Sequence, residues 1–210
     1  MERVRRAPHN APIEVLYKLG MTIADSLSGV RADGGESPIA LMDDSTFAGT
    51  ARLMTGFDLI RGEVEGALPD PDFFLALARA HGGAADVEAF RAVQATMGSG
   101  YLPVWIQQQT DHSGCTRFGT GSLVDTYAIW RTFSSKYPGR YAERAREELS
   151  SLEVALLEDG CACGDRASVV RELRLFLRRF PKGRRAERIR ARLRQVESGA
   201  ARIKENCISG

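Results

Sequence analysis

Four of the 210 residues are cysteines, at positions 115, 161, 163 and 207, and what thiols can do depends on how they are spaced. Two disulfides, with Cys115 and Cys207 each joining one member of Cys161-Ala162-Cys163, would close long loops and stabilise the fold by about 4 kcal/mol each in the chain-entropy model. A zinc site would need four thiolates, but two of them separated by a single residue chelate a tetrahedral ion awkwardly. A bond within Cys161-Ala162-Cys163 would be strained and easily reduced, which would make it a redox pair. Four buried thiols would suit a reducing compartment. The even count and the positions favour the two structural disulfides, and with them an oxidising compartment. Which cysteine of the central pair joins which partner stays open.

Other residue types carry weaker chemistry. Cys115 ends the polar run Gln107-Gln108-Gln109-Thr110-Asp111-His112-Ser113-Gly114, and a thiolate near a histidine base can act as a nucleophile. No orienting residue or oxyanion element accompanies His112, so the run reads as a loop leading into a disulfide. Glu63 and Glu65 point different ways on a helix and read as solvated. Gly119-Thr120-Gly121 ahead of Ser122 has the form of an anion site at a helix start, although an ordinary loop-to-helix junction explains it. Tyr127 and Trp130 lie at helical spacing and read as core, whereas Trp105, beside Pro103 and the glutamines, is expected to be partly exposed for a partner. No phosphate-binding fingerprint or metal-spaced cluster occurs, so no cofactor and no metal are expected.

The elements that must position these groups are helical by their apolar period. Ile13, Leu16, Tyr17, Gly20, Ile23, Ala24 and Leu27 mark a first helix behind Pro12. A second is expected from about Ser45 to Leu68, weakened by Gly49 and Gly56. Asp70-Pro71 opens a third, stopped at Gly82-Gly83, and Val87, Phe90, Val93 and Met97 mark a fourth. Tyr101 to Gln109 reads as one or two further turns. No run alternates long enough to be a strand, so the expected class is all-α.

Residues 122–204 repeat themselves. Ser122 with Asp125 resembles a capping box; Leu123, Tyr127, Trp130 and Phe133 follow, ending at Tyr137-Pro138. Ala142-Glu143-Arg144-Ala145-Arg146 then opens a partner helix with Leu149, Leu152 and Leu156. About 43 residues later the pattern returns. Asp165 or Ser168 caps Val169, Leu173, Phe176 and Leu177, ending at Phe180-Pro181, and Ala186-Glu187-Arg188-Ile189-Arg190 opens the partner, with one extra residue in the second turn. Proline closes each first helix because it cannot donate the helical hydrogen bond and disfavours helix before it. One hairpin cannot bury its apolar face alone, so neighbours stack. The antiparallel hairpins then gather all four cysteines at one pole.

With Phe133 to Pro138 and Phe176 to Pro181 each followed by an alanine-containing helix, residues 122–204 resemble tetratricopeptide-like repeat proteins of the bacterial cell envelope, of the barrel-assembly lipoprotein and TolA-binding coordinator type. The resemblance implies a scaffold for proteins or peptides. Residues 1–110 form an N-terminal helical region of unknown role, and residues 111–210 two hairpins, 122–158 and 165–204, tied by cysteines.

Composition, at 43% hydrophobic and 27% charged, excludes general disorder and a membrane-embedded chain, and no stretch approaches the ~20 apolar residues of a spanning helix. Met1 to Arg6 leads into no apolar core and carries no signal-peptide pattern; a lipid anchor on a longer precursor stays open. Residues 165–205 hold 14 Lys/Arg against 5 Asp/Glu, and the rest of the chain 15 against 22. Such a basic segment suits nucleic acid, but its arginines interleave with an apolar stripe and lack stacking aromatics, so nucleic acid is not expected. Arg178, Arg179, Arg184 and Arg185 instead offer a rim for an acidic partner. The resulting expectation is a non-enzymatic, extracytoplasmic scaffold that binds a protein or peptide of the cell envelope. The rival is a hydrolase or cell-wall-processing enzyme with its site in residues 1–120, drawing on Glu63, Asp111 or His112.

Overall fold

The computed structural model describes residues 13–29, 36–61, 65–98, 102–110, 113–158 and 161–205. Cys207, Glu63, Asp111 and His112 lie outside them. The chain divides into two compact units, Met1–Gln94 and Ala95–Gly210, so the segment before 111 is shared between them. Among the described residues there are eight helices and six short strands. The protein is mostly helical, but the expectation of an all-α chain needs correcting for its strands.

In the N-terminal unit, helix α1 (Ile13–Ser28) buries Ile13, Tyr17, Gly20 and Ala24, a stripe at three- and four-residue spacing. Ile23, expected inward, is 42% exposed. The packed face is set by Gly20, where any Cβ would lie 2.4 Å from the ring of Phe57. Helix α2 (Asp44–Leu53) is capped by Asp43, which accepts from the Thr46 amide at 2.8 Å, and it stops well short of Leu68. Gly56, at φ 87°, turns the chain into β1 (Phe57–Ile60), which pairs antiparallel with β2 (Gly66–Pro69). That left-handed turn favours glycine. Helix α3 (Pro71–His81) starts as expected, with Asp70 accepting from the amides of Asp72 and Phe73. It presents Phe74 edge-on to Tyr17 at 5.1 Å and stacked on Phe90 of α4 (Ala84–Met97) at 5.1 Å.

The C-terminal unit repeats a strand and two helices. After β3 (Ile106–Thr110), β4 (Ser113–Thr116) leads to α5 (Ser122–Lys136) and α6 (Ala142–Leu157); β5 (Cys161–Ala162) leads to α7 (Arg166–Arg179) and α8 (Arg184–Glu197); β6 (Lys204–Glu205) follows. Helix α5 packs on α6 and α7 on α8, with α5 also touching α7 and α6 touching α8. Each hairpin returns the chain to the pole it left, so successive strands run the same way: β4 pairs parallel with β5, and β5 with β6. Tyr101 to Gln109 was expected as helical turns, but residues 106–110 pair with β4. The extra residue expected in the second turn is absorbed by α8, which begins two residues before Ala186 and so includes Arg184 and Arg185.

The core between the hairpins is aromatic. Tyr127, Trp130 and Phe176 are each no more than 1% exposed, and Tyr127 meets Phe176 and Phe180 edge-on at 5.0 and 5.1 Å. The Trp130 indole Nε1 donates to the buried Thr96 hydroxyl at 2.8 Å.

Candidate binding cleft

At the strand pole, Cys115 in β4 is bonded to Cys163 just after β5, with Cα atoms 5.0 Å apart. The Cys163 amide donates to the carbonyl of Thr116 at 3.0 Å, continuing the strand pairing beside the bridge. Cys161 is also disulfide-bonded. The pairing left open by the sequence is therefore decided for Cys115. The four-thiolate metal site, the Cys161–Cys163 redox pair and the set of four thiols are all overturned. Among the described residues no group of three or more His, Cys, Asp or Glu side chains could hold a metal ion.

The Gly119-Thr120-Gly121 turn does receive an anion, and the protein supplies it. Glu172 of α7, fully buried, accepts from the amides of Gly119 at 2.8 Å, Gly121 at 2.9 Å and Val124 at 3.3 Å. Gly121, at φ 86°, is the N-cap of α5 and has no side-chain cap bond of its own. The expected Ser122–Asp125 capping box is thus replaced by a carboxylate reaching in from the next hairpin, which satisfies donors a helix start leaves orphaned. Burial raises the Glu172 carboxyl above its ordinary value, with the three amides pulling against it. In α7 itself, Asp165 and not Ser168 is the cap, accepting from the Ser168 amide at 2.8 Å.

The opposite pole, where both hairpins turn, holds a cleft of about 550 Å³. Its inner wall is the edge of the aromatic core, Tyr127, Phe176 and Phe180, and its rim carries Arg131, Lys182, Arg184, Arg185 and Arg188 against the single carboxylate of Glu153. Arg185 pairs through Nε with Glu153 and lies close enough to the Tyr127 hydroxyl to oppose the upward push that burial gives its pKa. Arg131 stacks its guanidinium 4.9 Å from the centre of the Phe180 ring, and Arg188 is 3.8 Å from Glu158. Arg131, Lys182 and Arg184 meet no carboxylate among the described residues. Gly183 is the N-cap of α8 at the cleft wall and makes no side-chain cap bond, so the positive end of the helix dipole adds to the same field.

Of the residues singled out by sequence, Arg184 and Arg185 come together on this rim. Arg178 and Arg179 are exposed but do not line the cleft, and Arg179 pairs with Asp125 at 2.5 Å. Trp105, expected to be partly exposed, is only 4% exposed; the strand pairing that follows it draws it inward. Sequence reasoning missed Arg131, Lys182, Arg188 and Glu153. Arg131 and Glu153 sit in the first hairpin and reach the rim only when the two hairpins stack.

Comparison with protein-family models, with curated proteins and with solved structures returns no match.

Proposed function

We propose that the chain is a non-enzymatic helical-repeat scaffold that holds an acidic protein or peptide partner in the cleft at the turn pole of its two hairpins. The observation carrying this reading is the charge of that cleft: five cations and one carboxylate around about 550 Å³, three of the cations without an anionic partner among the described residues. Unpaired cations crowded around one concavity repel one another, and an anionic ligand relieves that repulsion. Placing arginines at the first two positions of α8, where a helix prefers acidic residues, costs stability that a binding role explains. The repeated aromatic-Pro hairpins suit the envelope scaffolds they resemble. The oxidised cysteines suit an extracytoplasmic location, and no helix among the described residues is long and apolar enough to cross a membrane.

A photo-crosslinking amino acid at position 184, compared with the same group at position 178 outside the cleft, tests this in cells that express the chain. The expected result is a polypeptide adduct from position 184 that Lys182→Glu abolishes. Equal labelling from both positions, or none from position 184, would remove the reading.

A further inference from the structure

We infer that the ligand is an extended acidic segment that crosses the Arg185–Glu153 pair, placing one carboxylate on each side of it. This rests on the reading of the first cleft as a partner site. A second cleft of about 410 Å³ adjoins the first, and the two share Arg185 and Glu153. The ion pair is therefore a partition between two compartments. On its far side the lining includes Arg140 and Arg146 together with the hydroxyl-bearing Ser134 and Ser150. Arg146 is exposed and meets no carboxylate among the described residues. Both compartments thus have an excess of cations, and Glu153 is the one acidic side chain in either.

The ligand's shape follows from that division. A lone carboxylate or phosphate fills one compartment and leaves the other's charge uncompensated. A chain in extended conformation advances about 3.3 Å per residue, so acidic residues a few positions apart reach both. Single-stranded nucleic acid, the other polyanion, binds through bases stacked on open aromatic faces. Here Tyr127 and Phe176 are each 1% exposed, and the face of Phe180 is covered by Arg131. Glu153 then sets the strength of binding: its charge repels an acidic ligand in both compartments and holds Arg185 through Nε.

The test uses the full oxidised chain, fluorescence anisotropy at low and at physiological salt, and a labelled decapeptide alternating glutamate and serine. A lysine–serine decapeptide and a ten-nucleotide oligothymidylate serve as controls. Binding of the acidic decapeptide is expected to weaken about tenfold in Arg184→Ala, about fivefold in Arg146→Ala, and to strengthen severalfold in Glu153→Gln. Arg146 and Arg184 are both exposed, and far-UV circular dichroism checks that each variant is folded. An acidic peptide weakened by Arg184→Ala but indifferent to Arg146→Ala and Glu153→Gln overturns the two-compartment track and leaves the first cleft standing. An acidic peptide that binds no better than the lysine peptide, or less well than the oligothymidylate, overturns both.

Discussion

The carboxylate of Glu172 sits 2.9 Å from the amide of Gly121, fifty-one positions earlier in the chain. Through that contact the second hairpin caps the first helix of the hairpin before it. The stack is thereby held at its strand pole by a polar lock as well as by sulfur, leaving the turn pole to carry the charged cleft. Removing the lock by Glu172→Ala takes the acceptor from three amides, those of Gly121 and Val124 buried at the start of α5 and that of Gly119 part-buried in the turn before it. Each unsatisfied donor costs about 1–3 kcal/mol, part of which relaxation recovers, so the expected loss is about 2–4 kcal/mol in urea unfolding under non-reducing conditions. A loss below about 0.5 kcal/mol, the range of ordinary surface changes, would show that the amides find other partners.

The same carboxylate predicts a pH dependence with a definite sign. Burial is the largest influence and lifts the Glu172 carboxyl above its ordinary 4.5, while the amides of Gly121, Val124 and Gly119 lower it. A pKa higher in the folded than in the unfolded state means the native protein binds the proton more tightly. Stability is therefore fully present below the unfolded value and falls as pH rises through the folded one. Glu148 contributes in the same direction, its burial opposed by Arg144 at 2.5 Å. The stability advantage of the natural chain over Glu172→Gln is expected to shrink as pH rises above 4.5. An advantage that grows over that range would mean that the amides outweigh burial.

How much of this was legible in the sequence differs from element to element. The hairpins were readable because Tyr127, Trp130 and Phe133, and later Val169, Leu173 and Phe176, recur at helical spacing and each first helix runs into an aromatic-Pro stop. The strands were not. Strands β5 and β6 are two residues long, too short for any alternation to register, and their partners lie a whole hairpin away. Glu172 left one trace that could have been found. It stands three residues after Val169 and four before Phe176, within the buried stripe of an otherwise arginine-rich helix, and a charge in that stripe needs a partner. Glu148 leaves the same trace between Ala145 and Leu152. The cleft was half legible: the arginines of α8 stand out, whereas Arg131 and Glu153 join them only through the stacking of one hairpin on the next.

The Trp130–Thr96 bond offers a prediction inside the core. Indole Nε1 has only a proton to give, and the Thr96 hydroxyl at 2.8 Å is its acceptor. Thr96→Val keeps the shape and removes that acceptor, leaving a buried donor unsatisfied at a cost of about 1–3 kcal/mol. Thr96→Ser keeps the hydroxyl and is expected to lose less than the valine variant in parallel urea titrations. A valine variant as stable as the natural chain, with the loss falling on the serine variant, would assign the effect to packing of the threonine methyl.

The disulfide gives the most direct prediction, because it concerns connectivity. Cys115 and Cys163 are 48 positions apart, and a cross-link closing a loop of that size stabilises by about 4 kcal/mol in the chain-entropy model. Cys161 is oxidised as well, and with Cys115 and Cys163 joined, the remaining cysteine of the chain is Cys207. Intact mass should therefore rise by four hydrogens on full reduction. Digestion without reductant should release one peptide pair linking Cys115 to Cys163 and a second containing Cys161 and Cys207. Replacing Cys115 and Cys163 together by alanine should lower the unfolding free energy by a few kcal/mol while keeping the helical circular dichroism, since the Glu172 lock and the aromatic core lie outside the bridge. A Cys115–Cys161 or Cys115–Cys207 peptide would contradict the register in which Thr116 of β4 faces Ala162 of β5. That register brings residue 163 beside the strand that carries Cys115, so the peptide map tests the parallel strand array and the sulfur pairing together.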